Sequence, residues 1–239
     1  MLHVEYHAPA FSVRDAERIA AELYGLRAVA RELPGERDRN YHLRDESGAE
    51  YVLKIANAAE ERTTLDLQNA LLARLAERAP TLALQRVIAA RDGSPIATIT
   101  DADGVDHLVR LLTFIPGALL AETRPHSPQL LRSLGRLLGS IDAALLDFNH
   151  PAARRTLKWD LAAAGWIREY MPAVADPARR ALVEQLFALY EREAAPRRTS
   201  LRAGVIYNDA NDYNVVVGGD LFEREVIGVI DWGDTLYTQ

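Results

Sequence analysis

The sequence predicts an α+β protein, strand-rich in its first half and mostly helical in its second, with one late hairpin. Three observations carry this. Apolar and polar residues alternate in short runs between residues 26 and 56. After residue 127 a helical repeat takes over, through Leu130, Leu131, Leu134, Leu137, Leu138, Ile141 and Leu145. Near the end, two β-branched runs flank Gly218, Gly219 and Asp220, the pattern of an antiparallel hairpin. The natural division lies near Pro116, giving a mixed lobe over 1–115 and a helical lobe over 116–239.

Residues 12–25 read as an amphipathic helix. Ser12 caps it with Asp15 three residues on, Ala16, Ile19, Ala20 and Leu23 share one face, and Gly25 ends it. Strands follow at 26–33, 41–44 and 51–56, separated by the polar turns PGERDRN and DESGA. In the third strand Tyr51, Leu53 and Ile55 share one face, and Lys54 lies on the other with Val52. Residues 60–78 form a helix on the stripe Leu65, Leu72 and Leu75. VIAA and PIATIT are strand-like around the turn RDGS, and HLVRLLTFI is an apolar run stopped by Pro116 and Gly117. Ser127 followed by Pro128 is a helix start, with a cap and a proline at the first position. Helical patterns recur at 159–170 and 178–194, where Trp159, Trp166 and Tyr170 read as core. The segment 205–234 reads as loop, strand, turn, strand, loop.

Composition removes several function classes. A net charge of −6 and a pI near 5.6 argue against a nucleic-acid partner. No apolar run is long enough to span a membrane. The start MLHVEYHAPAF lacks the basic and apolar regions of a signal peptide. The absence of cysteine excludes disulfides, thiolate metal sites and thiol nucleophiles, and fits a cytoplasmic location. There is no GxxxxGK[ST], HExxH or GxSxG. His3 and His7 are four apart but precede Pro9 in an extended start, which speaks against a metal pair. Of 28 basic residues only Lys54 and Lys158 are lysine. A compact ammonium where arginine is the default asks what that point charge does.

Asparagine is scarce, yet three of the seven fall within Asn208–Asn214, in the run NDANDYN between apolar stretches. Two readings are open. Short amides and carboxylates satisfy local backbone groups in turns. They are also hard oxygen ligands. The hairpin places Asn214 beside Asp231, with Asp209 in the adjoining loop, a small oxygen donor set that suits Mg2+ together with the phosphates of a nucleotide.

Lys on a third strand, a helix, an apolar hinge, a helical lobe, Asp-x4-Asn, a hairpin and then Ile-Asp is an order that resembles the protein-kinase-like fold. Within it, Tyr207–Asn214 and Ile230–Asp234 (IDWGD) resemble the catalytic and metal segments of the aminoglycoside phosphotransferase family. The wording is nearest the hydroxylysine-kinase branch, and similar to kinase-like domains at the front of some class III aminotransferase fusions. The resemblance runs from about residue 13 to the end. It implies a two-lobe fold: an antiparallel nucleotide-binding sheet with helices, then a mostly helical lobe with a catalytic loop and hairpin.

By that resemblance Asp209 is the catalytic base, Asn214 and Asp231 hold Mg2+, and Lys54 binds the α- and β-phosphates. The loop 34–40 covers the phosphates, where Arg37 and Arg39 either reach them or are solvated. Residues 111–115, with Leu111 and Thr113, form the hinge whose backbone reads the purine, and are also a buried strand. Asp66 is the acidic partner of Lys54 or a surface carboxylate, with Glu60 and Glu61 as alternatives. Tyr207 stands where the family has His. Asp234 is a second metal-site carboxylate or a turn cap. The chain stops soon after Asp231, so the helical lobe is expected to be incomplete, to expose apolar surface, and to belong to a longer protein with further C-terminal domains. The implied function is an ATP- or GTP-dependent phosphotransferase acting on a hydroxyl of a small amine or amino acid, such as hydroxylysine or an amino alcohol. The alternatives are a catalytically impaired nucleotide-binding or regulatory module of a larger enzyme and, more distantly, an aminoglycoside-modifying enzyme.

Overall fold

Capping and alternation build the first half. Ser12 and Asp15 exchange hydrogen bonds at the start of helix α1 (Val13–Tyr24), and Gly25 ends it in the left-handed conformation. The structure, a computed structural model, describes residues 8–35 and 37–239. His3, His7 and Glu36 of the 34–40 loop lie outside that description. Strands β1 (Ala28–Leu33), β2 (Arg39–Asp45) and β3 (Glu50–Ile55) form an antiparallel meander. Helix α2 (Arg62–Arg78) follows. Strands β4 (Val87–Ile88), β5 (Ala97–Thr100) and β6 (Asp106–Thr113) complete the sheet, with β6 paired to β3 on one edge and to β4 and β5 on the other.

Period two gives this sheet two unlike faces. Tyr41, Leu43, Leu53, Ile55, Val109 and Leu111 pack with Ala16, Ile19 and Ala20 of α1 into one apolar core. Lys54 and Arg110 stand opposite one another on neighbouring strands, so both project from the other face, toward α2.

The second half begins with β7 (Ala118–Leu119) and the helix α3 (Pro128–Ala144), whose Ser127 side chain caps Leu130 N–H. Leu67, Leu71, Leu72 and Leu75 of α2 share a core with Leu130, Leu137 and Ile141 of α3 and with Val215, Val229 and Trp232. That core crosses the expected division at 115/116.

Between 154 and 203 the helical pattern breaks up. A 3-10 segment (Leu161–Trp166) runs into the four-residue α4 (Ile167–Tyr170), which Met171 and Pro172 end. Helix α5 (Pro177–Leu189) continues as a π turn. The reading of Trp159 and Tyr170 as core is corrected here: they are 64% and 54% exposed, because the contacts that tie this segment to its neighbours, such as the Tyr190 hydroxyl on the Leu161 carbonyl and Arg198 on the Ala162 carbonyl, are polar and leave both rings uncovered. Leu182, Leu186 and Leu189, on one side of α5, are exposed as well.

The chain ends in β8 (Gly204–Ile206), β9 (Val215–Gly218), β10 (Glu225–Val229) and β11 (Leu236–Thr238). β9 and β10 form the expected hairpin, with a bulge between Val226 and Gly228. β8 and β11 pair with each other. The sequence reading put Val205 and Ile206 in a loop and assigned nothing to 236–238, since three residues are too few to show an alternation. No helix among the described residues is long and apolar enough to cross a membrane.

Candidate active site

Two loops are clamped side by side at both ends. Residues 207–214 run from β8 to β9 and 230–235 run from β10 to β11. Because β8 pairs with β11 and β9 with β10, each loop starts and finishes against the other. Ile230 N–H donates to the Asn214 carbonyl at 2.9 Å, setting Asn214 one residue from Asp231. The Tyr207 hydroxyl donates to the Ile230 carbonyl, and its ring meets Trp232 edge-on at 4.7 Å. Burial, with Asp231 and Asp209 nearby, pushes the Tyr207 hydroxyl far above its usual range, so it stays a neutral donor. Tyr207 is a prop between the two loops. Asn208 and Asp231 hold positive φ of 68° and 59°, at residue types that tolerate the left-handed region better than most.

The chemistry-bearing groups converge within this frame. Asp209 accepts Asn214 Nδ2 on Oδ2 at 2.7 Å and Asn211 Nδ2 on Oδ1 at 2.9 Å. The amide of Asn214 is thereby oriented, and its Oδ1 accepts no hydrogen bond among the described residues. Asp231 Oδ1 accepts Gly233 N–H at 3.1 Å, and its Oδ2 lies 3.7 Å from Lys54 Nζ. The Lys54 ammonium holds the Asp231 carboxyl below the usual carboxylate range, with the Gly233 amide and Arg110 assisting. Lys54 and Asp231, from opposite halves of the chain, therefore meet.

A ring of further charges surrounds them. Asp234 is pushed upward by burial and by Asp209, against Arg155 and Arg37. Its carboxylate accepts no hydrogen bond among the described residues, so it caps no turn there. Arg155 donates to the Gly233 and Thr235 carbonyls, the latter at 2.9 Å, and so braces the 230–235 loop. Glu60 is pushed upward by burial and by Asp38. Asp38 accepts the Asn57 backbone and side-chain N–H groups at 3.0 and 3.1 Å, which ties the 34–40 loop to the end of β3.

Arg39 and Asp66 are not brought to the cluster, and Leu111 and Thr113, expected at the hinge, lie on β6. Arg39 lies in register with Ile55, on the α1 face, and its guanidinium takes Glu32 at 2.5 Å and the Pro9 carbonyl at 3.0 Å. Asp66 makes no pair with Lys54, whose carboxylate partner is Asp231. Leu111 is buried in the α1 core. Thr113 binds residues 85–86 with its backbone N–H, its carbonyl and its hydroxyl. The sequence reading missed Arg110 and Arg155. Arg110 had a signal, as the one charge inside the apolar run LVRLLTFI.

Asn214 Oδ1 with the carboxylates of Asp231 and Asp234 is an oxygen-only donor set that fits a hard divalent cation. No three acidic or histidine side chains among the described residues gather closely enough to hold a metal unaided. A cavity of about 430 Å³ lies elsewhere, between Arg78, Leu82, Ser140 and Asp147, away from all these groups.

A family model described as "Phosphotransferase enzyme family" (APH) matches residues 29–238. Hydroxylysine kinases of Mus musculus and Bos taurus are 29% and 28% identical to this chain, over 96% of its length and 66% of theirs. The chain thus spans a little under two thirds of these curated relatives. A microcompartment-associated aminopropanol kinase superposes with a TM-score of 0.70 at 21% identity, covering 95% of this chain and 70% of that one. An amicoumacin kinase in complex with AMP-PNP, Ca2+ and Ami gives 0.66 at 17% identity, covering 95% and 65%. These likenesses show the fold, a mixed helix-and-sheet architecture of the kinase-like kind.

Proposed function

The chain belongs to the phosphotransferase enzyme family, and from that premise we propose that it moves the γ-phosphate of ATP or GTP to a hydroxyl of a small amine or amino acid. The observation that carries this reading is the meeting of Lys54 from the sheet with Asp231 beside the Asp209–Asn214 pair. A triphosphate brings about four negative charges, and a dedicated site has to neutralise them and hold the acceptor in line. Lys54 supplies a compact cation for the phosphate oxygens. Asp209, held by two amides, is oriented to accept the proton of the acceptor hydroxyl. Asn214 and Asp231, with Asp234, would hold Mg2+, which supplies charge neutralisation on the β- and γ-phosphates when bound. Tyr207 and Arg155 keep the two loops in register. The hydroxylysine kinase and aminopropanol kinase relatives support a hydroxylated amine as acceptor.

The test is nucleotide-dependent melting followed by ADP release in the presence of hydroxylysine and 1-amino-2-propanol. Asp209→Asn is expected to keep the melting shift with MgATP and to lower turnover by about 10²–10⁴, the usual worth of a positioned general base. Turnover unchanged in that variant would overturn the assignment of the base. One observation favours the alternative of a nucleotide-binding module without catalysis: Lys54 lacks an acidic partner on α2. Under it, the wild type shows the melting shift and no ADP release with any acceptor.

A further inference from the structure

The inner face of the sheet carries a second cation. Arg110 lies opposite Lys54 in the β3–β6 register and is only 3% exposed. Its two guanidinium arms go to consecutive residues of α2: one NH donates to Asn69 Oδ1 at 3.0 Å and the other to Gln68 Oε1 at 2.6 Å. It makes no carboxylate pair within 4 Å among the described residues. A buried guanidinium held only by neutral amides is unusual, since isolated buried charge is costly. The position keeps the charge nonetheless. Burial lowers Arg110 to about 10, with Asp231, Asp38 and Glu60 acting the other way, so it remains a cation at neutral pH.

We propose that Arg110 is a positioning residue that seats α2 on the nucleotide face, leaving Lys54 free for Asp231 and the phosphates. In place of a lysine–acid link between β3 and α2, a two-armed arginine on β6 grips two neutral side chains of that helix. The fork geometry matters, because an ammonium offers no pair of fixed parallel donors. The charge matters too, adding to Lys54 on the face where phosphates would lie. The part concerning the nucleotide rests on the function proposed above; the grip on α2 does not.

Three variants separate these statements: Arg110→Met, Arg110→Lys and the double variant Arg110→Met with Gln68→Met. Hydrogen exchange of the α2 amides reads the grip directly, without nucleotide. Both single variants are expected to exchange at least about tenfold faster over α2, the cost of one charge-assisted hydrogen bond expressed as an opening equilibrium. Exchange as slow as in the wild type in Arg110→Met overturns the proposal. In steady-state kinetics with MgATP, KM for nucleotide is expected to rise about tenfold in Arg110→Met. Arg110→Lys is expected not to restore it, and full rescue by lysine would overturn the two-armed role. The double variant removes the shorter of the two hydrogen bonds from both sides and leaves only Asn69 without its partner, which is gentler on folding than orphaning both amides. Its melting midpoint is expected to recover while KM stays raised, and recovery of KM would also overturn the proposal. If the wild type binds no nucleotide, the function reading fails and the exchange experiment still decides the grip.

Discussion

The two faces of the six-stranded sheet are built from the same strands and behave as opposites. On the α1 face Leu53, Ile55, Val109 and Leu111 are fully buried and purely apolar. On the α2 face Lys54 and Arg110 interrupt the apolar pattern, and the polar Gln68 and Asn69 answer from the helix. One face is optimised for exclusion of water. The other gives up apolar burial to keep Lys54 3.7 Å from Asp231 and Arg110 beside it on the same face. Neighbouring residues on β3 therefore do unrelated work, which substitution can expose.

The largest effect is expected on the functional face. Lys54→Met should abolish the MgATP-dependent melting shift while moving the unliganded midpoint little, since Asp231 is half exposed and its ion pair is screened. A large drop in that unliganded midpoint would make Lys54 a structural residue. One position away, Leu53→Ala should do the reverse. Emptying a fully buried leucine costs about 2–5 kcal/mol, roughly 4–20 °C in a domain of this size, with nucleotide binding retained by the folded fraction. Smaller again, Ser12→Ala removes the α1 cap and should lower the midpoint by about 2–4 °C, the equivalent of roughly 1 kcal/mol. No change there would mean that α1 is held by packing alone.

The smallest effect is a gain. Asp234 is held above its usual value by burial and by Asp209, so the folded state binds its proton more tightly than the unfolded chain does. The ionised form therefore costs stability, and that cost grows as pH rises from 3.8 through the folded value. Asp234→Asn should raise the metal-free midpoint at pH 7 by about 1–2 °C, and the gain should vanish below the unfolded value. Asp231 has the opposite sign. Lys54 depresses it, so its contribution is present above 3.8 and is lost as pH falls through the lower folded value. A stabilising effect of Asp234→Asn that persists in acid would show that packing, and not charge, is the cause.

Much of this was legible in the residues. Ser12, Asp15 and Gly25 announce α1, Ser127 and Pro128 announce α3, and the hairpin over 215–229 follows from its β-branched runs and glycines. The convergence of Asp209, Asn214 and Asp231 was readable because a hairpin joins them locally. The stretch 159–170 misled because helical spacing of Trp159, Trp166 and Tyr170 says nothing about whether another element covers them. Arg39 misled for a different reason. A loop residue has no assigned face until the register of β2 is known, and that register turns it to the α1 side.

By itself the sequence determined what local physics can determine: the capped helices, the alternating strands, the tight hairpin and the cluster of short oxygen donors. Only the tertiary structure decided which distant groups share a volume. It set Lys54 on Asp231, gave Arg110 to Gln68 and Asn69, and joined β8 to β11 so that Tyr207 and Arg155 brace the two loops. The physical reason is that periodicity and capping act within a few residues of the chain. The pairing of buried charges depends on strand register and on which helix packs on which face, and these are settled only when the whole core closes.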